Sequence, residues 1–396
     1  MLTLHKIEEP ECPVPRRFAL WDLGFRPFYL VASVLAALSV PMWALQFTGW
    51  LGHTVLRGPV WHAHEMLFGF ALAVIVGFLF TAGRNWTNQP TPTGPALRAL
   101  VALWIAARIL ALTPYDWAAA VANVAFPWAA AFALAVPFLK ARNRRNYFFI
   151  GLLVLMGAAS GAVHLSELGV LGLPSWAGLQ LGLDVVLFVL AVMGGRVIPM
   201  FTNNGVPGAG ASRHAVVERT ALGGVLGLAA ADLAGWRGPT VALLALAVGL
   251  VHGVRWLMWR PWKTWRAPLV WVLHLAYLWV PVHLLLRAAA TFELTTPSVA
   301  AHALTAGAIG GLVIGMMTRT AKGHTGRPLR SDRWDVACYA LVLAGAAVRV
   351  VMPLVAPMTY FPSLLLSAAL WSGGFAIFAV RYWPVLSRAR LDGKAG

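Results

Sequence analysis

Residues 61–82 read WHAHEMLFGFALAVIVGFLFTA, and after Glu65 the run holds no ionisable side chain. A helix that crosses a bilayer needs about 20 mainly apolar residues, and this stretch supplies them behind a mouth of two imidazoles and a carboxylate. The same pattern recurs along the chain. Of its 396 residues, 59% are hydrophobic and 11% charged, against roughly 25% charged in soluble domains. Apolar windows fall near 27–49, 61–83, 96–113, 117–139, 147–168, 176–201, 216–235, 239–259, 268–290, 298–320, 334–356 and 360–384. The expected fold is all-α: a polytopic integral membrane protein with a single bundle of about 12 transmembrane helices. Its domains are a cytoplasmic N-terminal segment (1–26), the transmembrane domain (27–384) and a basic cytoplasmic tail (385–396).

The net charge of +17 does not point to nucleic acid, because the cations sort by loop. Lys6, Arg16, Arg17 and Arg26 precede the first span. Later groups are Lys140/Arg142/Arg144/Arg145, Arg255/Arg260/Lys263/Arg266, Lys322/Arg327/Arg330/Arg333 and Arg381/Arg388/Arg390/Lys394. With twelve spans all of these share one side, and the other holds only Arg57, Arg237 and Arg287. The positive-inside rule then makes both termini cytoplasmic, and the basic groups can touch anionic lipid. Glu8, Glu9, Glu11 and several prolines before the first apolar run argue against a signal peptide. Cys12 and Cys338 both fall on the cytoplasmic side, where a disulfide is not expected. No CxxCH occurs, which excludes covalently attached haem c. Gly157 and Gly161 read as a helix-packing pair. No internal repeat is evident in the letters, although a pseudo-symmetric six-plus-six bundle is compatible with the hydropathy.

An ionisable group inside a span is costly and is a functional hypothesis by default. With the topology above, His62, His64 and Glu65 lie at the outer end of the second span and His164 near the outer end of the fifth. His283 lies in the outer half of the ninth, and His302 opens the tenth. Imidazole suits copper, zinc and iron, and bundles build metal and cofactor sites from inward side chains of facing helices, so this convergence points to a metal or haem site. Satisfaction of each ring by a backbone carbonyl is the alternative. At about 100° per residue His62, Glu65 and Met66 share a face, with His64 on the far side. Both histidines therefore reach one centre only if the helix entrance after Pro59 is irregular; otherwise they serve two centres, or one ligates and the other caps. Glu65 could orient His62 or carry protons; pairing with an arginine is the alternative. Asp184 is the other acidic candidate, as carboxylate partner or proton carrier. Toward the cytoplasm, His274 could be a haem axial ligand, and His252 could be no more than an interfacial residue near Arg255. Arg108, Arg349 and Arg287 in outer span halves suit haem propionates.

Two loop stretches stand out, Gly194–Asn204 (GGRVIPMFTNN) and Met316–Pro328 (MMTRTAKGHTGRP). His324 with Arg327 could bind an anion, and a structured inter-helix loop is the alternative. These stretches, with Phe25–Phe28 (FRPF), WHAHEMLFGF and His302–Gly311 (HALTAGAIGG), resemble the NnrS family of bacterial membrane proteins over nearly the whole chain. The resemblance implies a twelve-span protein of the bacterial cytoplasmic membrane that contains haem and copper and is linked to nitric-oxide metabolism and nitrosative stress. It places His62, His64, Glu65, His164, His274, His302, Arg196, Arg319 and His324 at characteristic positions and leaves His283 outside the pattern. It does not divide the histidines between haem and copper.

The function expected on this basis is reduction of nitric oxide to nitrous oxide at a haem–copper site in the periplasmic half of the membrane. Copper would be held by His62, His64 and His164 or His302. A haem b would have His302 or His274 as axial ligand and Arg108, Arg349 and Arg287 near its propionates, and Glu65 and Asp184 would feed protons. Quinol or a periplasmic protein would supply electrons. The alternatives are a nitric-oxide-binding protective protein without turnover and a transporter of haem or copper. Membrane lipid is an expected partner, nucleic acid is not, and a homodimer is compatible with the sequence.

Overall fold

The computed structural model describes residues 17–47 and 58–393. Lys6, Glu8, Glu9, Glu11, Cys12, Arg16, Arg57 and Lys394 lie outside the described residues. Within them the chain is helical, with one isolated antiparallel bridge between Phe18 and Arg388 and no strand. In chain order the helices are α1 (Phe25–Phe47), α2 (Pro59–Thr87), α3 (Gly94–Leu110), α4 (Asp116–Lys140), α5 (Arg144–Glu167) and α6 (Ser175–Gly205). They continue as α7 (Ala215–Leu233), α8 (Pro239–Met258), α9 (Pro268–Thr291), α10 (Pro297–Gly323), α11 (Arg333–Val355) and α12 (Tyr360–Ser387). Ten of these segments, all but α3 and α7, are long and apolar enough to cross a membrane. The remaining two stand where the third and seventh spans are expected. The protein is a multi-pass membrane protein. Its surface fits that solvent: Phe132, Val121, Leu246 and Leu365 are exposed, while Arg26, Glu65, Arg255 and Asp335 are buried.

Local chemistry sets the helix boundaries. The Asp332 carboxylate accepts from the N–H groups of Trp334 and Asp335 while the Asp335 carboxylate accepts from the Asp332 N–H, a capping box that starts α11. Thr296 caps α10 ahead of Pro297, whose missing N–H costs nothing at that position. At Gly157 an added Cβ would lie 2.2 Å from the Trp128 indole nitrogen, so this glycine lets α4 and α5 approach, as expected from the sequence.

The chain forms two compact units. One comprises Met1–Leu183, Thr320–Pro328 and Phe378–Gly396; the other comprises Asp184–Arg319 and Leu329–Ile377. Both are built partly on the same design, and here the structure reveals a repeat that the letters hide. α2 starts as an α-helix over Pro59–His64 and widens into a π-helical segment over Glu65–Ala71. α10 starts as an α-helix over Pro297–His302 and widens over Ala303–Ile309. Aligned on these breaks without a gap, Pro59, Ala63, His64, Gly69, Gly77, Thr87 and Pro90 meet Pro297, Ala301, His302, Gly307, Gly315, Thr325 and Pro328. The preceding helices α1 and α9 each carry an internal proline after valine, at Val40-Pro41 and Val280-Pro281. In α3 and α11 the same Ala-Leu-Val triplet precedes Arg108 and Arg349. The repeat escapes the eye because most lipid-facing and core positions have exchanged one apolar residue for another, which hydrophobic burial tolerates.

Candidate functional site

In the first unit, side chains from α2, α3, α4 and α5 meet around the start of the π segment. The His64 ring lies with Nδ1 at 3.0 Å from Glu65 Oε1 and Nε2 at 3.2 Å from Ser160 Oγ. Arg108 donates to the same Glu65 oxygen at 3.0 Å, and its other terminal nitrogen donates to the Asn123 side-chain carbonyl. Asn123 in turn donates to the Ala119 carbonyl. The His164 ring stands edge-on to that of His64, with centroids 4.8 Å apart. His64, Glu65, His164, Arg108 and Asn123 are all buried. The carboxylate accepts, so the network assigns the His64 proton to Nδ1, and the Ser160 hydroxyl donates to Nε2. His164 Nε2 is buried with no hydrogen-bond partner, which is costly for an imidazole nitrogen unless something else binds it.

The sequence reading of the helix face changes here. Glu65 engages His64, its neighbour in the chain, whereas the His62 ring packs on Trp43 with centroids 4.4 Å apart. Consecutive residues do not face each other on a regular α-helix. The π segment that begins at Glu65 winds more slowly and keeps His64 and Glu65 side by side. Gly69, inside that segment, is where an added Cβ would lie 2.6 Å from an Arg108 terminal nitrogen. Its carbonyl accepts from the Trp104 indole at 3.1 Å, so α3 clamps the widened turn at two points.

The second unit holds the other predicted residues. His274 Nε2 lies 2.8 Å from Thr202 Oγ, and that hydroxyl donates to the Ile198 carbonyl. The imidazole therefore donates through Nε2, and its Nδ1 is buried without a hydrogen bond. His302 donates from Nδ1 to the Ser298 carbonyl at 2.7 Å, and Arg349 reaches Ser298 Oγ at 3.5 Å. His283 Nδ1 donates to the Ala300 carbonyl at 2.8 Å, the carbonyl-satisfied state that sequence reasoning held as the alternative. Arg287 makes two bonds of 2.8 Å to Asp232. Asp184 is buried on α6 at the start of this unit.

His252 belongs to a different network. Tyr277 donates to His252 Nδ1 at 2.7 Å and accepts from Arg255 at 2.7 Å, and Arg255 also makes two bonds to Glu218 and one to the Ala191 carbonyl. This explains the paired glycines of GGRVIPMFTNN. A Cβ at Gly194 would lie 2.6 Å from the Tyr277 ring, and one at Gly195 would lie 1.8 Å from an Arg255 terminal nitrogen. The Arg319 guanidinium sits 3.8 Å over the Phe201 ring, which ties the two loop signatures to each other.

Thus His64, Glu65, His164 and Arg108 form one cluster, with His62 against Trp43 beside it. His302 and Arg349 share Ser298, while His274 and Arg287 have separate partners. Ser160, Asn123, Thr202 and Tyr277 were not foreseen; a polar residue in an apolar span was their signal, and Ser160 precedes His164 by one turn. Among the described residues no three His, Cys, Asp or Glu side chains are grouped to hold a metal ion; the first unit brings together two imidazoles, those of His64 and His164. Two imidazoles suit copper, and the orphaned His164 Nε2 is the donor such an ion needs. For haem, His274 offers only Nδ1, and Arg108 and Arg287 are engaged by Glu65 and Asp232. His302 with Arg349 is the pair that could hold an iron and a propionate.

These features define a polytopic membrane protein with a buried imidazole–carboxylate–guanidinium centre on an interrupted helix. The chain belongs to the NnrS family: the family model described as "NnrS protein" matches residues 19–390, and that family is linked to the nitric oxide response. Among curated proteins nothing matches the chain.

Proposed function

We propose that this protein acts on nitric oxide in the bacterial cytoplasmic membrane, reducing two molecules to nitrous oxide and water with two electrons and two protons. Copper would be held by His64 and His164 and a haem b by His302, with His274 as the alternative haem ligand. When bound, these groups supply nitric-oxide binding and electrons, the latter drawn from quinol or a periplasmic donor. The chain's own part is electrostatic. Glu65 holds the proton on His64 Nδ1 and so keeps Nε2 free as a donor, Arg108 fixes Glu65 as a carboxylate, and Ser160 marks where the Nε2 lone pair points. Burial suits a small uncharged substrate that dissolves in lipid. The observation that carries this reading is the His64–His164 pair with its unsatisfied Nε2.

Two other readings each have one observation in their favour. Glu65 is fully engaged by Arg108 and His64, which suits a protein that binds nitric oxide without delivering protons. Paired interruptions at matching places in a repeat are where transporters place a midplane site, which suits a carrier of haem or copper. The test is nitrous oxide accumulation by purified, metal-loaded protein with an added quinol. Continued production supports the reductase, saturation near one nitric oxide per metal centre supports the binder, and copper or haem uptake by proteoliposomes supports the carrier.

A further inference from the structure

A cluster of positive charge at one end of the first unit is not used by this function. Three segments knit together there. Ala19 donates to the Ser387 carbonyl and Ala389 to the Arg17 carbonyl, while Leu391 donates to the Thr325 carbonyl. Arg26 sits behind them with no exposed surface. One of its terminal nitrogens donates to the Leu386 and Arg388 carbonyls at 3.0 and 2.7 Å. Its Nε and its other terminal nitrogen have no partner, although a guanidinium carries five donors. Arg17, Arg327 and Arg390 lie within electrostatic reach of it, with Asp22 as the acidic group in range. Arg390 donates to the His324 carbonyl at 3.0 Å and pairs with Asp392, and Arg17 pairs with Asp22. Guanidiniums from three chain segments, those of Arg17, Arg327 and Arg390, therefore lie within electrostatic reach of the buried Arg26. Like charges drawn together around a buried, under-satisfied guanidinium cost free energy unless an anion joins them.

We propose that this cluster is a binding site for a phosphate-class oxyanion, carried either by soluble phosphate or by the phosphodiester of an anionic lipid headgroup. The chemistry favours a phosphate over a carboxylate. The arginines come from three separate segments, the N-terminal one, the 323–328 loop and the C-terminal one, and a tetrahedral group presents acceptor oxygens to several donors at once, whereas a carboxylate offers two in one plane. Arg17, whose side chain is 67% exposed, and Arg390 form the accessible rim, and Arg26 supplies the charge behind it. Gly326 lets the loop close: its φ is +75°, and an added Cβ would lie 3.0 Å from the backbone nitrogen of Asp392.

The test uses the full-length protein, delipidated in a neutral detergent, and follows thermal unfolding with phosphatidylglycerol, phosphatidylcholine or inorganic phosphate at constant ionic strength. Phosphatidylglycerol or inorganic phosphate should raise the melting temperature by about 4 °C near saturation, and phosphatidylcholine and chloride should not. A response to the lipid alone identifies a headgroup, and a response to phosphate alone identifies the soluble ion. Arg17→Gln with Arg390→Gln should leave the ligand-free melting temperature within about 1 °C and weaken the response at least tenfold. Arg26→Gln should abolish it even if the ligand-free protein is less stable. The proposal is overturned if wild type responds to neither phosphate ligand beyond the controls, or if the rim double variant responds as wild type does.

Discussion

Replacing Arg108 by leucine tests the central cluster most directly. In wild type the Glu65 carboxylate is 2% exposed and accepts from Arg108 and His64. Removing the guanidinium leaves a buried charge with one neutral donor, and breaking a buried pair in this way costs about 3–5 kcal/mol. The Asn123 carbonyl also loses its donor, which adds about 1 kcal/mol. For a chain of this length, 1 kcal/mol corresponds to roughly 1 °C in Tm, so Arg108→Leu should lower Tm by about 5 °C in detergent, followed by tryptophan fluorescence. Glu65→Leu alone should cost a similar amount, because it strands the guanidinium instead. The combined variant removes both charges and should cost less than the sum of the two single variants, with a coupling of about 2–3 kcal/mol in the double-mutant cycle. If the single variants cost less than 1 °C, or if their effects simply add in the double variant, the two groups do not form the buried pair described here and the electrostatic account of His64 fails with it.

The remaining expectations concern metal content, packing and pH. In copper(I) titrations against a competing chelator, His64→Ala and His164→Ala should each abolish binding in the first unit while His62→Ala retains it; retention by both of the first two refutes the site. His302→Ala should remove the Soret band of protein made with haem available and leave copper content unchanged, and loss of the band in His274→Ala instead would move the axial ligand. Gly195→Ala should lower Tm by about 2 °C, because its Cβ would displace Arg255 from Glu218 at an overpacking cost of about 1–3 kcal/mol; an unchanged Tm would show that the guanidinium can move aside freely. Burial, then the Arg390 and Arg26 guanidiniums, hold the His324 imidazole below its usual range. A group depressed in the folded state contributes stability above its unfolded value, about 6.5, and loses it as pH falls toward the folded value. Unfolding should therefore become easier between pH 6.5 and 5, less so in His324→Gln, and an identical pH profile in the two proteins would refute this.

Much of the fold was legible because lipid imposes a simple rule: polar backbone must be satisfied within the helix, so length and hydropathy set the spans. Ten helices meet that rule, and the other two, α3 and α7, fall on the apolar windows 96–113 and 216–235. Side-chain meetings were harder to read. Depth grouped His62, His64, His164, His283 and His302, and of these the rings of His64 and His164 meet; depth says nothing about azimuth, and a regular helix would have turned Glu65 away from His64. The π segment changes the azimuth, and nothing in the letters EMLFGFA announces it in isolation. Asn123 and Ser160 gave a signal too general to read, because a single amide or hydroxyl in a span looks like ordinary packing until its partner is known.

The repeat makes that π segment intelligible. A widened turn weakens a helix, and one instance could be tolerated as an accident of packing; two, each beginning at the residue after a histidine and each carrying a glycine at the same place, are a retained feature. The two copies have nonetheless diverged at the position that decides the electrostatics. Glu65 follows His64 in the first, whereas Ala303 follows His302 in the second. Arg108 consequently meets a carboxylate, while Arg349 meets the Ser298 hydroxyl at 3.5 Å and the Tyr360 side chain. In the first copy the cation is spent inside the protein, and the histidine beside it is held as a neutral donor. In the second the cation has no carboxylate of its own among these contacts and can accept one from outside. If copper and haem are bound as proposed, the first copy, with its cation already paired to Glu65, would suit the metal ion, and the second, whose arginine has no carboxylate among these contacts, would suit a ligand that brings its own acid groups.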